Sequence, residues 1–389
     1  MSLIKKINQY NAVIPAAIHD VKWEKMRQSP FDFYRATCFL FAADFAKLYT
    51  QKPKIKSWIC GDAHLENFGS YKGQYRQVNF DITDFDEATL AYPEAEIARF
   101  LTSVVVAANQ MNIAYVRLYK TLHDLMQTYT SSIIARKAKA MRAEVATGEI
   151  KMHFDQMSTI DRSDFIKERT IKEKGALLLK TDKGKYWKLD EKQKLELYES
   201  IAPLIKTQPF FSEMVFEDAA IRIAGMGSLG LNRYAALFFS KKKGKHYILD
   251  IKESRVSCNK IMTAVKQPKF KNEAERITSI GYLMQYDAPA FNVPYKIADK
   301  WYVIKELQPT EDKISIKSFQ NDFGKLTDVA NEMIKLIAYS HLRSSGHLGA
   351  SNADELVKFA GKKQWQKEII ELSGILAKKN EQYYKTFCK

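Results

Sequence analysis

The strongest constraint on the fold is a change in the spacing of apolar residues near Asp218. Before this point, segments such as Glu94–Met111 repeat their apolar residues at helical spacing. After it come three short segments rich in aromatic and β-branched residues, Ala220–Gly225, Asn232–Ser240 and His246–Ser254. The turns MGSLG and KKKGK separate them. This pattern is typical of antiparallel strands joined by hairpin turns.

The following segments complete the pattern. A predicted helix at Asn272–Tyr286 precedes two more strand-like segments, Phe291–Ile297 and Lys300–Leu307. Helical spacing then returns in Asp322–Ser344 and Ala353–Thr386. The sequence therefore predicts an α+β fold in which a small antiparallel sheet with one helix lies between helical parts.

The first half of the chain is predicted to be mainly helical, with two short strands. Phe31–Tyr49 and Ala114–Ala138 have helical spacing, and Ser57–Cys60 and Gln77–Ile82 have the character of strands. Residues 139–210 are polar and charged and are predicted to be helical, apart from one turn. The sequence shows no internal repeat.

The charge of the chain favours an anionic partner. The formal net charge is +16, which attracts nucleotides, nucleic acids or acidic membrane surfaces. The basic residues are spread along the chain, and no known nucleic-acid module is present, so nucleic acid is not the favoured partner. Because no apolar run approaches the about 20 residues that cross a bilayer, no membrane span is predicted.

The cysteines and the N-terminus predict a cytoplasmic location. Met1–Ala17 lacks the apolar core of a signal peptide. The cysteines lie far apart without CxxC spacing, which predicts neither a zinc site nor a disulfide framework. They are Cys38, Cys60, Cys258 and Cys388.

The sharpest chemical signal is the segment GDAHLEN at 61–67. Phosphoryl transfer needs a carboxylate near the attacking hydroxyl and oxygen ligands that hold magnesium against the phosphates. Asp62 and Asn67, five positions apart, match the Asp and Asn of kinase-type catalytic loops. His64 lies between them and is either a catalytic residue or a structural histidine that bonds to the loop backbone.

A second acidic segment, NFDITDFDE, occupies 79–87. Several carboxylates this close repel one another without a cation. Asp84 is the predicted main metal ligand and Asp86 a ligand for a second ion, while Asp81 is the rival to Asp84. Oxygen ligands of this kind suit magnesium. The alternative is a solvated turn that caps the next helix.

A glycine-rich motif of the form GxGxxG follows the first strand-like segment after Asp218. Alone this motif is a weak signal, because dinucleotide folds also use it where a helix follows. Here a strand follows, which favours a glycine turn covering phosphates between two hairpin strands. The predicted nucleotide contacts in this turn are Gly225, Gly227, Ser228 and Gly230.

The third strand of this block places a lysine among apolar residues. Lys252, in LDIKE, is predicted to contact the α- and β-phosphates of a nucleotide. Such a lysine needs a carboxylate partner from the following helix, and both Glu273 and Glu275 are candidates. The alternative is a lysine that points outward from the strand.

Several of these motifs together resemble a known family. GDAHLENFG, TDFDEA, GMGSLGLNRY and DIKES resemble domain-of-unknown-function family 2252, an uncharacterised bacterial family. Lys25–Arg35 and Ala338–Gly346 resemble its outer motifs, so the resemblance covers nearly the whole chain. The first motif is also similar to the catalytic loop GD-x-H-x-x-N of aminoglycoside phosphotransferases and choline kinases.

The resemblance implies a protein-kinase-like fold that binds ATP and Mg²⁺ between two lobes. It implies that Asp62 is the base, that Asn67 and Asp84 bind the metal, and that Lys252 contacts phosphate. Kinases place the glycine turn before the catalytic loop, whereas this chain places it after. A circular permutation reconciles the two orders, and permutations are tolerated at surface loops.

The predicted parts follow from this permutation. Residues 1–210 would form a helical catalytic part, 211–308 an antiparallel nucleotide-binding part, and 309–389 a hinge with closing helices. The favoured function is phosphoryl transfer from ATP to an unidentified hydroxyl of a small molecule or protein. AMP transfer by the same residues and non-catalytic nucleotide binding are the alternatives. Neither the acceptor nor the oligomeric state can be read from the sequence.

Overall fold

A computed structural model of the protein describes most of the chain, and the structural statements below concern the described residues. These are residues 1–12, 16–51, 55–181, 184–208, 211, 213–227, 229–309, 312–319 and 322–389, with only the backbone described at 16 and 17.

Helices and antiparallel strands alternate along the chain, and the predicted α+β class is confirmed. The helices α1 to α13 are Leu3–Tyr10, Ala16–Arg27, Pro30–Ala36, Cys38–Leu48, Pro93–Gln110, Tyr115–Ala135, Gly148–Ser158, Arg162–Arg169, Glu191–Thr207, Glu273–Met284, Phe323–Ser344, Ala353–Ala360 and Lys363–Cys388. The strands β1 to β13 are Ser57–Ile59, Phe68–Lys72, Val78–Ile82, Thr89–Ala91, Thr170–Glu173, Ala176–Leu179, Tyr186–Lys188, Met214–Arg222, Arg233–Ser240, Lys245–Glu253, Asn292–Ile297, Lys300–Leu307 and Asp312–Lys313.

The largest sheet has the strand order β11-β12-β10-β9-β8-β7. Strands β8, β9 and β10 form an antiparallel meander, and the glycine turn joins the first two. Helix α10 then leads to the hairpin of β11 and β12, and β12 pairs with β10. The structure confirms the helix and the other strands predicted for this region, whereas the first strand runs from Met214 to Arg222 rather than from Ala220 to Gly225.

The alternation of residues along β10 places its polar side chains. Leu249 and Ile251 join the apolar cluster that includes α9, while Ile248 joins a different cluster that includes α8. Because successive strand residues point to opposite faces, Asp250 and Lys252 share the face of Ile248. Both residues line the cavity described below.

A small sheet brings two loops of the first part of the chain together. Strands β2 and β3 form a hairpin in which Phe68 lies opposite Ile82, and β13 pairs with the other edge of β2. The loop before β2 therefore ends beside the loop after β3. The Thr83 N–H accordingly donates to the Asn67 carbonyl over 3.1 Å. Strands β1 and β4 pair at the far ends of these loops.

Helix α5 lies in the main apolar core and packs against α13, α11 and α3. It begins with Pro93, whose fixed φ suits the first turn, and carries Glu94 and Glu96 where the helix dipole favours acidic residues. Glu96 and Arg99 are three residues apart and share one helix face. Both side chains are buried, so they must find partners inside the protein.

Three helical predictions need correction. The predicted helix Phe31–Tyr49 is interrupted at Thr37, whose hydroxyl donates to the Phe33 carbonyl and whose backbone is not helical. The segment Ala353–Thr386 is likewise divided between α12 and α13. Residues 139–210 contain β5, β6 and β7 as well as helices.

The division of the chain at residues 210 and 308 stays a prediction. Strand β7 pairs with β8, so the large sheet extends upstream of residue 211. Within the part of the chain that the structure describes, no helix has both the length and the apolar character needed to cross a bilayer.

Candidate functional site

A cavity of about 550 Å³ lies between the loops of the small sheet and one end of the large sheet. Its lining comes from segments that are distant in sequence, namely the loop at 61–67, the loop at 83–87, the glycine turn and β10. Charged side chains dominate this lining, so the cavity suits a polar, charged ligand rather than an apolar one.

Gly61 begins the loop that carries the predicted base. Its φ is +82°, and a Cβ there would come within 2.0 Å of the Glu87 carbonyl oxygen, so the position requires glycine. The Gly61 N–H donates to Glu96 Oε1 over 3.0 Å, and its carbonyl accepts from Asn259 Nδ2 over 2.7 Å. Buried groups from two other elements thus fix the start of the loop.

Asp62 lies on the cavity wall with one oxygen tightly bound. Arg99 donates from Nε over 3.0 Å and from Nη2 over 2.8 Å, both to Asp62 Oδ1. Arg99 is itself buried, and its guanidinium carbon lies 3.6 Å from the centre of the Tyr34 ring. Burial raises the pKa of Asp62 to about 6, although the Arg99 charge opposes the shift. Asp62 is therefore a carboxylate at neutral pH, with a proton affinity suited to general base catalysis.

His64 is neutral and oriented by the loop backbone. Its Nδ1 accepts from the Glu66 N–H over 3.1 Å, which leaves the ring proton on Nε2, 3.9 Å from Asp62 Oδ2. Burial and the charges of Arg35 and Arg99 hold the pKa of His64 well below its usual value. The sequence left open whether His64 is a catalytic residue or a structural histidine. In the structure it bonds to the loop backbone, and it also lines the cavity.

Asn67 has an amide oxygen without a protein partner. Its Nδ2 donates to the Asp62 carbonyl over 3.1 Å and to the Asp84 carbonyl over 3.3 Å. These bonds leave Oδ1 buried and without a hydrogen bond from any described residue. An orphaned buried acceptor is costly unless a ligand satisfies it.

Lys252 bridges the two sequence-distant halves of the site. Its ammonium forms an ion pair with Asp86 and lies 3.6 Å from Asp84 Oδ2. Burial opposes ionisation of Asp84, but the charges of Lys252 and Lys313 prevail and hold the pKa of Asp84 well below its usual value. Burial and the neighbouring Asp84 raise the pKa of Asp86. The ammonium thus stabilises two adjacent carboxylates, which would otherwise repel each other.

Asp81, the rival of Asp84, is held inside the protein. Its Oδ2 accepts from Arg343 Nη2 over 2.9 Å and from the Tyr286 N–H over 3.1 Å, and its Oδ1 accepts from the Ile82 N–H. Asp81 is not among the residues that line the cavity, whereas Asp84 and Asp86 are. The geometry therefore favours Asp84 as the ligand candidate.

The helix after β10 supplies neither of the expected partners of Lys252. Glu273 binds Arg276 Nε over 2.5 Å and Lys260 over 3.4 Å, while Glu275 caps the Lys271 N–H. The ion pairs described for Lys252 are with the aspartates of the 83–87 loop, and this corrects the predicted pairing. The cause is that α10 turns Arg276 toward the loop, where it donates to the carbonyl oxygens of Ala88, Asp86 and Arg255.

The glycine turn lies close to the loop at 61–67. Gly225 and Gly230 have φ values of +82° and +106°, a region that L side chains rarely adopt. A Cβ on Gly227 would lie 3.9 Å from Asp62 Oδ2. Gly225 and Gly227 line the cavity, whereas Ser228 lies outside the described residues.

Lys22 holds this turn from the side of α2. The residue is fully buried, and its ammonium donates to Asn11 Oδ1 over 2.9 Å and to the carbonyls of Gly227 and Leu229 over 3.2 and 3.3 Å. Burial lowers its pKa to about 7, and the Arg255 charge adds to the effect. The first helices are therefore part of the site.

Sequence reasoning missed several residues that shape the site. Glu96 and Arg99 give one signal, since they are charged residues at a spacing of three in a mainly apolar helix. Asp250 of β10 is buried between Arg222 and Arg233, at 2.8 and 2.6 Å. Lys22 and Asn259 carry no local signal, because their partners lie far along the chain.

The oxygen atoms around the cavity include donors of the kind that bind a magnesium ion. The described residues contain no group of three or more His, Cys, Asp and Glu side chains positioned to hold a metal. Asn67, Asp84 and Asp86 nevertheless all line the cavity, and the orphaned Asn67 oxygen needs a partner. Carboxylate and amide oxygens with water completing the shell are the ligands that magnesium prefers, so these residues fit that ion.

Comparison with known proteins identifies the family. A family model described as an uncharacterised protein conserved in bacteria, DUF2252, matches residues 14–389. The chain therefore belongs to this family. No curated protein and no solved structure matches the chain.

Proposed function

We propose that this protein is an ATP- and Mg²⁺-dependent phosphotransferase with a kinase-like site, acting on a hydroxyl acceptor. The observation that carries this proposal is the meeting of Asp62, Asn67, Asp84 and Lys252 around one cavity beneath a glycine turn. These are the elements that phosphoryl transfer uses to position a nucleotide and an acceptor.

The order of elements in the large sheet supports a kinase-like nucleotide site. A hairpin with a glycine turn, β8 to β9, is followed by β10 with its lysine, and then by helix α10. Kinases use the same succession of glycine-rich loop, lysine strand and helix. The catalytic loop comes earlier in this chain, which fits a circularly permuted, two-lobed kinase-like fold.

In this proposal Asp62 is the base for transfer of the γ-phosphoryl group. Asp62 Oδ2 accepts the proton of the acceptor hydroxyl, because Arg99 occupies the other oxygen. The hydroxyl oxygen forms a bond to the γ-phosphorus, and the bond from that phosphorus to the β–γ bridging oxygen breaks. ADP leaves with the electron pair of that bond. Proton transfer to such a positioned base contributes about 10²–10⁴-fold to the rate.

The nucleotide is held from two sides. Lys252 contacts the α- and β-phosphates, and the N–H groups of the glycine turn lie over the phosphates. Asn67 Oδ1, Asp84 and Asp86 would hold the magnesium ion, which when bound offsets charge on the β- and γ-phosphates. Lys252 exchanges its contact with Asp86 for phosphate oxygens as the nucleotide enters.

A thermal-shift titration with ATP and magnesium tests the proposal. A ligand that binds only the native state stabilises it by about 2.7 kcal/mol at 100 times its dissociation constant. We expect this stabilisation in the wild type and its loss in Lys252→Ala and Asp84→Asn. The control is Lys192→Ala, whose exposed side chain lies outside the cavity lining.

The products of turnover complete the test. ADP as the product supports phosphoryl transfer, and pyrophosphate would assign AMP transfer to the same residues. A wild-type protein that ATP with magnesium does not stabilise would contradict the proposal. If ATP with magnesium stabilises Lys252→Ala as much as the wild type, Lys252 does not contact the nucleotide.

A further inference from the structure

The cavity contains basic side chains that the protein itself does not neutralise. Lys252 is paired with carboxylates, as are Arg233 and Arg255. Lys25 and Lys313 also line the cavity, yet the described residues place no carboxylate within ion-pair distance of either ammonium. Unpaired cations inside a concave site attract an anionic ligand.

Arg35 also lines the cavity, and although two carboxylates pair with its charge, one of its N–H groups is unused. Its Nη1 binds Glu66 over 2.5 Å and Asp32 over 3.3 Å, which fixes one edge of the guanidinium. Its Nε is buried and has no hydrogen-bond partner among the described residues. A rigid, planar donor with an unused N–H is well suited to an oxyanion.

Lys313 and Arg35 lie close to the catalytic loop. Lys313 is opposite Gly69 in the pairing of β13 with β2, just after Asn67. Lys313 is exposed at this edge strand, and its side chain lines the cavity. Besides burial, the charges of Arg35 and Lys313 help to lower the pKa of His64. An anion bound between these side chains would offset their positive charge.

Two of these cations, Lys25 and Arg35, enter the cavity from the first helices, whereas Lys252 enters it from the large sheet. A Cβ on Gly227 would lie 3.6 Å from the Arg35 carbonyl and 3.9 Å from Asp62 Oδ2, so the tip of the turn lies at the catalytic carboxylate. Such a turn covers the phosphates of the nucleotide. Lys25 and Arg35 belong to α2 and α3 and line the cavity together with Asp62, which contacts the acceptor in the proposed function.

We propose that the acceptor carries an oxyanion, which Lys25, Arg35 and Lys313 bind while Asp62 contacts its hydroxyl group. This inference rests on the proposed phosphotransferase function and specifies the substrate class, an anionic alcohol. A phosphate monoester and a hydroxycarboxylate share the required chemistry.

Calorimetric titration of the full chain tests the inference. The protein is first saturated with magnesium and a non-hydrolysable ATP analogue, and inorganic phosphate or acetate is then added at constant ionic strength. We expect saturable binding of at least one anion. Tighter binding of phosphate assigns a phosphate monoester, and tighter binding of acetate assigns a carboxylate.

Lysine variants connect this binding to the named residues. Lys25→Met and Lys313→Met should each weaken anion binding about tenfold or more, the effect of losing a hydrogen bond to a charged group. Their affinity for the nucleotide analogue should change less than about twofold. The control is Lys317→Met, an exposed lysine outside the cavity lining.

The possible failures are separable, because nucleotide binding is measured first. A wild type that binds no nucleotide contradicts the proposed function itself. A wild type that binds nucleotide but neither anion overturns only the acceptor class. The same conclusion follows if the lysine variants lose nucleotide affinity as strongly as anion affinity, since the cations would then belong to the nucleotide site.

Discussion

The two walls of the cavity are held in place in different ways. On the catalytic wall, buried side chains from other elements bind the loop at several points. Arg99 holds the Asp62 carboxylate, and Glu96 and Asn259 bind the two backbone groups of Gly61. Glu96 is in turn bonded to the buried ring of His341 over 3.0 Å.

The opposite wall is the glycine turn, whose described residues contact groups on α2. Lys22 donates to the carbonyls of Gly227 and Leu229, and Met226 packs against the apolar cluster that contains Trp23 and Met26. The donor to both carbonyls is the ammonium group of Lys22, and burial lowers the pKa of this group.

This difference indicates which wall adapts to a ligand. Reacting groups must keep their geometry closely, which favours a rigid base and rigid metal ligands. A turn that covers phosphates must open and close, and a lightly held segment opens at low cost. We therefore expect the catalytic wall to stay fixed and the glycine turn to move when a nucleotide binds.

The largest expected effect is on turnover, at the rigid wall. Asp62→Asn keeps the shape of the side chain but removes the proton acceptor, so ATP turnover should fall about 10²–10⁴-fold. Nucleotide binding, measured by thermal shift, should persist. Turnover at the wild-type rate would show that Asp62 is not the base.

The next largest effect is on stability and concerns Arg99, which binds the Asp62 carboxylate. Arg99→Met leaves Asp62 in its buried position without its cation, and we expect a loss of about 3–5 kcal/mol in the free energy of unfolding. Denaturant titration measures this loss.

A surface arginine provides the control for this variant. Arg136 pairs with Asp354 over 2.6 Å with both side chains exposed, so Arg136→Met should cost about 1 kcal/mol or less. Similar losses in the two variants would contradict a specially supported catalytic wall.

A smaller, pH-dependent effect is expected at the glycine turn. Because the folded-state pKa of Lys22 is about 7 and its unperturbed pKa is 10.5, the folded protein binds fewer protons than the unfolded chain between these pH values. Stability should therefore rise with pH in this window, by up to about 1.4 kcal/mol per pH unit from this group.

Lys22→Met should remove this part of the slope. The measurement is the free energy of unfolding at several pH values between 7 and 10 for the wild type and the variant. Lys6→Met on the exposed side of α1 is the control. Parallel pH profiles of wild type and Lys22→Met would show that Lys22 is ionised normally in the folded protein.

The smallest effect compares two helical glycines. A Cβ at Gly281 of α10 would lie 3.3 Å from the Phe85 ring in the acidic loop, whereas one at Gly374 of α13 would meet nothing within 4 Å. Gly374→Ala should stabilise the protein by about 0.5–1 kcal/mol through helix propensity. Gly281→Ala should stabilise it less, because the rigid wall resists displacement of Phe85. If denaturant titrations show the same gain in the free energy of unfolding for both variants, the Phe85 ring moves aside at little cost.

Local patterns predicted much of the fold. The strands around the glycine turn follow from alternation and turn residues, and α5 follows from helical spacing. Thr37 was missed as a helix break because its hydroxyl competes for a backbone carbonyl, a weak local effect. Strands β5 to β7 were missed because their surroundings are polar and charged, so no apolar alternation marked them.

The sequence by itself determined the chemical inventory of the site. Asp62, Asn67, Asp84 and Lys252 were predicted from residue types and spacing, because the chemistry of phosphate and metal in the proposed function restricts which side chains can serve. Only the tertiary structure decided which groups meet. It binds Asp81 to Arg343, 262 positions away, and leaves the neighbouring aspartates to Lys252. Such pairings depend on how distant helices and strands pack, and no local pattern encodes that packing.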